Sequence, residues 1–223
     1  MERQLAISLG PERVAGLLVR PDDAKALFVF AHGAGVGMNH PSMTSAAEGL
    51  AARGIATLRF NFPFMEKRTG RPDSPRIAHV AVRAAVGAAG EMAGDLPLFA
   101  GGRSFGGRMT SQAQALEPLR GVRGLVFLGF PLHPAGNPGI ERADHLGHVQ
   151  IPMLFVSGSR DALAEIERLK SVVEDLRDRA TQHVVDQADH GLRVPAKSGR
   201  TSEEAQGEAL DAVAEWMAAL ATS

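Results

Sequence analysis

Apolar residues in this chain fall into short continuous runs separated by longer stretches of helical period. Leu27-Phe28-Val29-Phe30-Ala31, Ile55 to Phe60, Leu96 to Ala100, Leu125 to Leu128, Met153 to Ser157 and Gln182 to Val185 read as strands. Runs of this length suit strands covered on both faces. Val14 to Arg20 alternates weakly and reads as an edge strand, with Leu5 to Ser8 as its hairpin partner. Between the runs, the pattern predicts helices over Pro41 to Arg53, from Pro75 to about Met92, over Gly106 to Leu116, and from Ala162 to about Arg177. Pro41 and Pro75 suit a first helical position, and Ser74 suits an N-cap. The last helix opens with Thr201-Ser202-Glu203-Glu204, a capping box. Its apolar positions Ala209, Val213, Trp216, Met217 and Leu220 follow the helical period.

Strands alternating with helices predict an α/β fold: a mostly parallel sheet with helices on both faces. With 223 residues and no linker, repeat or charge block, the chain reads as one domain over 1–223. In such sheets, ligands bind outside the carboxyl ends of the strands, so the residues just after each strand carry the most information.

Charge and composition remove several classes. The net charge of -1 gives no electrostatic footprint for nucleic acid. No apolar run approaches the length of a membrane span, so no membrane association is expected. Met1-Glu2-Arg3-Gln4 lacks the layout of a signal peptide, and the chain contains no cysteine, so a cytoplasmic protein is expected. Without cysteine there is no thiol nucleophile and no thiolate-bound metal.

One strand ends in a chemical signature. After Leu96 to Ala100 comes Gly101-Gly102-Arg103-Ser104-Phe105-Gly106-Gly107, which contains G-x-S-x-G. A chain leaving a strand and entering a helix at once leaves the middle serine on a strained turn, its hydroxyl exposed above the sheet. Small residues two before and two after let neighbouring backbone approach. Ser104 is therefore the candidate nucleophile, and the helix behind it aims free N–H groups at the site.

A serine hydroxyl needs a base. His190 lies in Asp186-Gln187-Ala188-Asp189-His190-Gly191, between the last strand and the last helix, and is the expected base. Asp161 follows Met153 to Ser157 and is the expected acid, with Asp186 and Asp189 as rivals. Asp161 also sits where the next helix would take its N-cap. For the oxyanion, the N–H groups of Phe105 and Ala34 are expected to act together, Ala34 lying in the small-residue loop His32-Gly33-Ala34-Gly35-Val36-Gly37. Those glycines form G-x-G-x-G rather than G-x-G-x-x-G, and no P-loop motif occurs, so no nucleotide cofactor is expected. His133, His145 and His148 show no recognisable metal-ligand spacing and read as solvated loop residues; no metal is expected.

The order Ser104, Asp161, His190 resembles the α/β-hydrolase superfamily, and the likeness runs from about Val14 to Leu220. Phe28 to Gly35, Arg59-Phe60-Asn61-Phe62-Pro63-Phe64 and Gly129-Phe130-Pro131-Leu132-His133-Pro134 resemble a small dienelactone-hydrolase-like group. Its relatives include testis-expressed hydrolase-like proteins and a chromatin-complex subunit. Dienelactone hydrolases use cysteine as nucleophile, where this chain has Ser104. The resemblance implies the α/β-hydrolase fold, the triad and, with only about twenty residues after Leu128, no cap domain. An open, shallow site is then expected, with Phe62, Phe64, Phe105 and Phe130 as candidate walls of an acyl pocket and His133 as a further candidate facing the substrate. Asn39, His40, Glu66, Lys67 and Arg68 are expected on the same side. The expected activity is hydrolysis of small carboxylic esters or thioesters. A non-catalytic interaction module, an amidase and an acyltransferase remain alternatives.

Overall fold

A computed structural model describes residues 1–221. Its strands are β1 (Glu2–Ser8), β2 (Arg13–Val19), β3 (Ala26–Ala31), β4 (Ile55–Phe60), β5 (Leu98–Arg103), β6 (Val122–Leu128), β7 (Met153–Gly158) and β8 (Ala180–Val185). They form one eight-stranded sheet in the order β1-β2-β4-β3-β5-β6-β7-β8. β1 pairs antiparallel with β2, and β2 with β4; every later pairing is parallel. This is the α/β-hydrolase fold.

The helices are α1 (Pro41–Ala51), α2 (Pro63–Glu66), α3 (Pro75–Ala93), α4 (Phe105–Leu116), α5 (Ile166–Leu176) and α6 (Ser202–Ala221). Alternation along each strand divides the core in two. In β3, Leu27, Val29 and Ala31 join the cluster under α3, α4 and α5, whereas Ala26, Phe28 and Phe30 join the cluster under α1 and α6. All six residues of β3 are buried, as are those of β4, β5 and β7, which accounts for their mostly apolar composition; Thr57 and Arg59 in β4 and Arg103 in β5 are among the charged or hydroxyl-bearing residues buried with them.

Two expected boundaries near the site move. β5 continues through Gly101-Gly102-Arg103, although glycine weakens strands. Its residues pair with β3 on one side, through Ala31 opposite Gly102, and with β6 on the other, through Leu128 opposite Arg103. α5 begins at Ile166 rather than Ala162. Asp161 Oδ1 accepts from the Leu163 N–H at 2.8 Å, and the Leu163 carbonyl accepts from Leu132 N–H at 2.8 Å, which holds this segment as a turn. Asp161 is therefore not a helix cap. Ser74 occupies the N-cap position of α3 but its side chain makes no capping bond. At α6 the capping box forms as expected: the Thr201 hydroxyl accepts from Glu204 N–H at 3.1 Å, and Glu204 Oε2 accepts from Thr201 N–H at 2.6 Å.

Between β6 and β7 the chain makes a 3-10 segment, Glu141–His148, which packs on α4.

Candidate active site

The carboxyl ends of β3, β5, β6 and β7 converge with the loop after β8. Ser104 lies between the last residue of β5 and the first of α4, with φ 48° and ψ -113°. A positive φ is strained for a residue with a Cβ, and the surrounding ladder must hold it. Ser104 N–H donates to the Leu128 carbonyl at 3.3 Å, and its own carbonyl accepts from Arg108 N–H at 3.1 Å, the first turn of α4. The two fixed glycines have a steric reason. A Cβ on Gly106 would stand 2.6 Å from the carbonyl oxygens of both Ala31 and His32, and one on Gly102 would collide with that of Ala31.

Ser104 Oγ lies 2.9 Å from His190 Nε2. His190 Nδ1 lies 2.8 Å and 3.0 Å from the two carboxylate oxygens of Asp161. A carboxylate accepts only, so Nδ1 carries the proton and Nε2 is left as an acceptor for the serine hydroxyl. The Asp161 side chain is fully buried, whereas that of His190 is 25% exposed. Of the rival acids, Asp186 accepts from the Ser159 hydroxyl at 3.1 Å, and Asp189 Oδ1 accepts from the N–H groups of Gly191 and Arg193 at 2.8 and 2.9 Å. Neither contacts the imidazole.

Two glycines to which the sequence reading gave no individual role seat these groups. Gly129, at φ +71°, lies where a Cβ would meet the His190 carbonyl oxygen at 2.7 Å and the ring at 3.3 Å. Gly158, at the end of β7, packs against the carbonyls of Ala188 and Asp189. Strand ends followed by glycine were the only signal available for them.

The small-residue loop after β3 stands beside Ser104: a Cβ on Gly33 would be 3.9 Å from that of Ser104. Among the described residues, the Ala34 and Phe105 N–H groups have no hydrogen-bond partner. His32 holds the base of this loop. Its Nδ1–H donates to the Gly33 carbonyl at 2.8 Å, and its Nε2 accepts from Phe62 N–H at 3.0 Å. Burial lowers its pKa to about 4, against a small opposing effect of the Gly33 bond, so the ring is neutral.

A cleft of about 590 Å³ opens in front of Ser104, bordered by Ala34, Ser42, Arg103, His190 and Arg193 among others. The expected aromatic walls are absent from it. Phe62, Phe64 and Phe130 are buried in the core. Phe62 and Phe64 pack against Phe105 and His32, and Phe130 against Phe127 and Phe155. The short helix α2 turns the first two inward.

His133 also leaves the site. Its side chain is buried, with Nδ1 donating to the Pro134 carbonyl and Nε2 to Glu165, both at 2.8 Å. The Pro134 bond, then Glu165, raise its pKa against the effect of burial. His145 is not a solvated loop residue either. Its Nε2 lies 2.7 Å from Ser111 Oγ on α4, and burial, followed by repulsion from Arg108, lowers its pKa to about 4. His148 is exposed. Glu66 accepts from Ala15 N–H and Asn61, and Lys67 pairs with Glu12, so both serve the β2 edge rather than the cleft. His40 lines the cleft as the α1 N-cap. None of the described helices is long and apolar enough to cross a membrane.

Comparison with known proteins adds the following. The profile of a family described as alpha/beta hydrolase domain matches residues 24–218. The crystal structure of a dienelactone hydrolase from Anabaena variabilis is similar, with a TM-score of 0.73 and 25% identity over 97% of this chain and 94% of that one. An α/β serine hydrolase without lid from Xanthomonas campestris gives 0.71 at 20% identity, over 96% and 94%. A provisionally named phosphoribosyl transferase of Mycobacterium tuberculosis is 31% identical over 165 residues, 72% of this chain and 35% of that protein. The chain thus spans about a third of the length of that relative.

Proposed function

The chain belongs to the α/β-hydrolase family, and from that premise we propose that it is a serine hydrolase of small carboxylic esters or thioesters. One observation carries the reading: Ser104 Oγ, His190 and buried Asp161 form a continuous hydrogen-bonded chain opening on a cleft.

His190 Nε2 takes the hydroxyl proton as Ser104 Oγ bonds to the substrate carbonyl carbon. The carbonyl π pair moves onto oxygen, where the Ala34 and Phe105 N–H groups stabilise it. The C–O or C–S bond then breaks, and His190 returns its proton to the departing alcohol or thiol. Water, deprotonated by His190, attacks the acyl-enzyme and releases the acid and Ser104. Asp161 keeps the Nδ1 proton in place and stabilises the imidazolium that forms between steps.

The sequence motifs, the free N–H pair and the serine hydrolase relatives support this reading. No nucleic acid, membrane, metal or cofactor enters it; the partner is a small-molecule ester, and the functional unit is one domain acting in the cytoplasm. The test is labelling by a fluorophosphonate, which requires an activated serine. Wild type is expected to label at Ser104 and Ser104→Ala not at all. A folded wild type that stays unlabelled and turns over no p-nitrophenyl ester would favour the non-catalytic interaction module.

A further inference from the structure

The residue directly before the nucleophile is a buried cation with unused donors. Arg103 is 8% exposed and borders the Ser104 cleft. Its Nη1 donates to the Gly191 carbonyl at 3.3 Å, while Nε and Nη2 are buried without a hydrogen-bond partner. Burying a guanidinium without an acceptor is costly, so such groups in native proteins have a carboxylate or a ligand. The one carboxylate that acts on Arg103, Asp189, is already engaged by Gly191 N–H, Arg193 N–H and, at 3.5 Å, Arg193 Nε. Burial lowers the Arg103 pKa to about 10, partly offset by Asp189, and the group stays charged at neutral pH.

The rest of the cleft has the same sign. Its border holds a second arginine, Arg193, and no aspartate or glutamate. Two helices, α1 and α4, begin at this border, at Pro41 and directly after Ser104, and helix N-termini favour anions; the start of α6, at Ser202, is already capped by Glu204. Two hydroxyls add donors. Ser45 Oγ accepts from Gln206 Nε2 at 2.9 Å, and Ser202 Oγ accepts from Val194 N–H at 3.1 Å. With each oxygen already accepting, each hydroxyl proton is left for a ligand.

We propose that this cleft takes esters or thioesters that carry a phosphate group, bound between Arg103 in the wall and Arg193 at the rim, with Ser45 and Ser202 as further donors. The inference rests on Ser104 being the nucleophile and names its substrate class. A phosphate dianion, with three oxygens, matches two arginines and separate hydroxyls better than a planar carboxylate does.

The test compares three butyryl esters of the same geometry: those of 4-hydroxyphenyl phosphate, 4-hydroxybenzoate and 4-hydroxybenzamide. In wild type, kcat/KM for the phosphate is expected to exceed that for the neutral amide by at least tenfold and that for the benzoate severalfold, and to fall with added salt. Arg103→Gln and Arg193→Gln are each expected to reduce the phosphate-to-amide ratio at least fivefold. Arg193 is a surface side chain, so its variant answers the question even if Arg103→Gln fails to fold. Calorimetry on Ser104→Ala with phenyl phosphate gives a readout independent of turnover, and binding there should be lost in Ser104→Ala/Arg193→Gln. Equal rates for phosphate and benzoate would overturn the phosphate assignment. Hydrolysis that favours none of the three, with Ser104 labelled, would overturn the whole inference and leave the hydrolase reading standing. Phenyl phosphate binding to a protein that neither labels nor turns over esters would support the anion site and overturn the hydrolase reading.

Discussion

Gly129 and His190 touch through a gap that admits no side chain. A Cβ on Gly129 would stand 2.7 Å from the His190 carbonyl oxygen, and the backbone there has φ +71°. Gly129→Ala is therefore expected to strain the backbone by about 1–2 kcal/mol and also to push His190 away from Ser104. Gly121→Ala makes a control: φ is +77°, but nothing lies within 4 Å of the added methyl. Both variants should lose melting temperature. Only Gly129→Ala should also lower kcat, by tenfold or more. Equal kcat in the two variants would show that the Gly129 contact does not position His190.

Asp161 fixes the tautomer of His190. In Asp161→Asn, an amide N–H turned toward Nδ1 would make that nitrogen the acceptor and leave the proton on Nε2, facing the Ser104 oxygen. kcat should fall by roughly 10³- to 10⁴-fold with KM little changed. Asn can retain the bond from Leu163 N–H, so the fold should persist, as circular dichroism would check.

His32 links the small-residue loop after β3 to acid stability. Its pKa is near 4 in the folded chain and 6.5 as an unperturbed residue. Between those values the unfolded chain binds the extra proton. Stability is therefore full above pH 6.5 and falls as pH drops toward 4, by up to about 3 kcal/mol from this ring. His145 acts with the same sign, and His133, whose pKa is raised, with the opposite one. Denaturant unfolding from pH 7 to pH 4 should show the loss. His32→Gln keeps an acceptor for Phe62 N–H and should flatten the curve; an unchanged slope would remove His32 as its source.

Among neutral esters, short acyl chains should be preferred. The apolar wall of the cleft is short, made by Ala34, Val36, Pro41, Leu128 and Leu192, and the buried phenylalanines do not extend it. Each enclosed methylene contributes about 0.8 kcal/mol, so a rise confined to the first carbons is expected. kcat/KM for p-nitrophenyl esters should peak at about C2 to C6, because only the first few methylenes find apolar wall to enclose them. A steady increase to C12 would reveal a deeper acyl tunnel.

The chain itself determined the strands, the helices and the place of Ser104. These follow from local periodicity and from the fixed spacing of Gly102, Ser104 and Gly106, although the carbonyls that require those glycines belong to Ala31 and His32 at the end of another strand. It also narrowed the partners of Ser104, because ligand sites in such sheets lie just after strands, where Asp161 and His190 stand. Tertiary structure decided where the side chains point. Phe62 and Phe64 follow a strand and look like pocket walls, yet α2 rotates them against His32 and Phe105 in the core. His133 follows a strand too, but Glu165, 32 residues on, draws it away from the cleft. Arg103 has the composition of a surface residue and is enclosed because β3, β6 and the loop carrying Gly191 close around β5. Periodicity assigns a residue to an element and a face; its neighbours come from distant parts of the chain, and they fix whether it is buried, what it bonds and how it titrates.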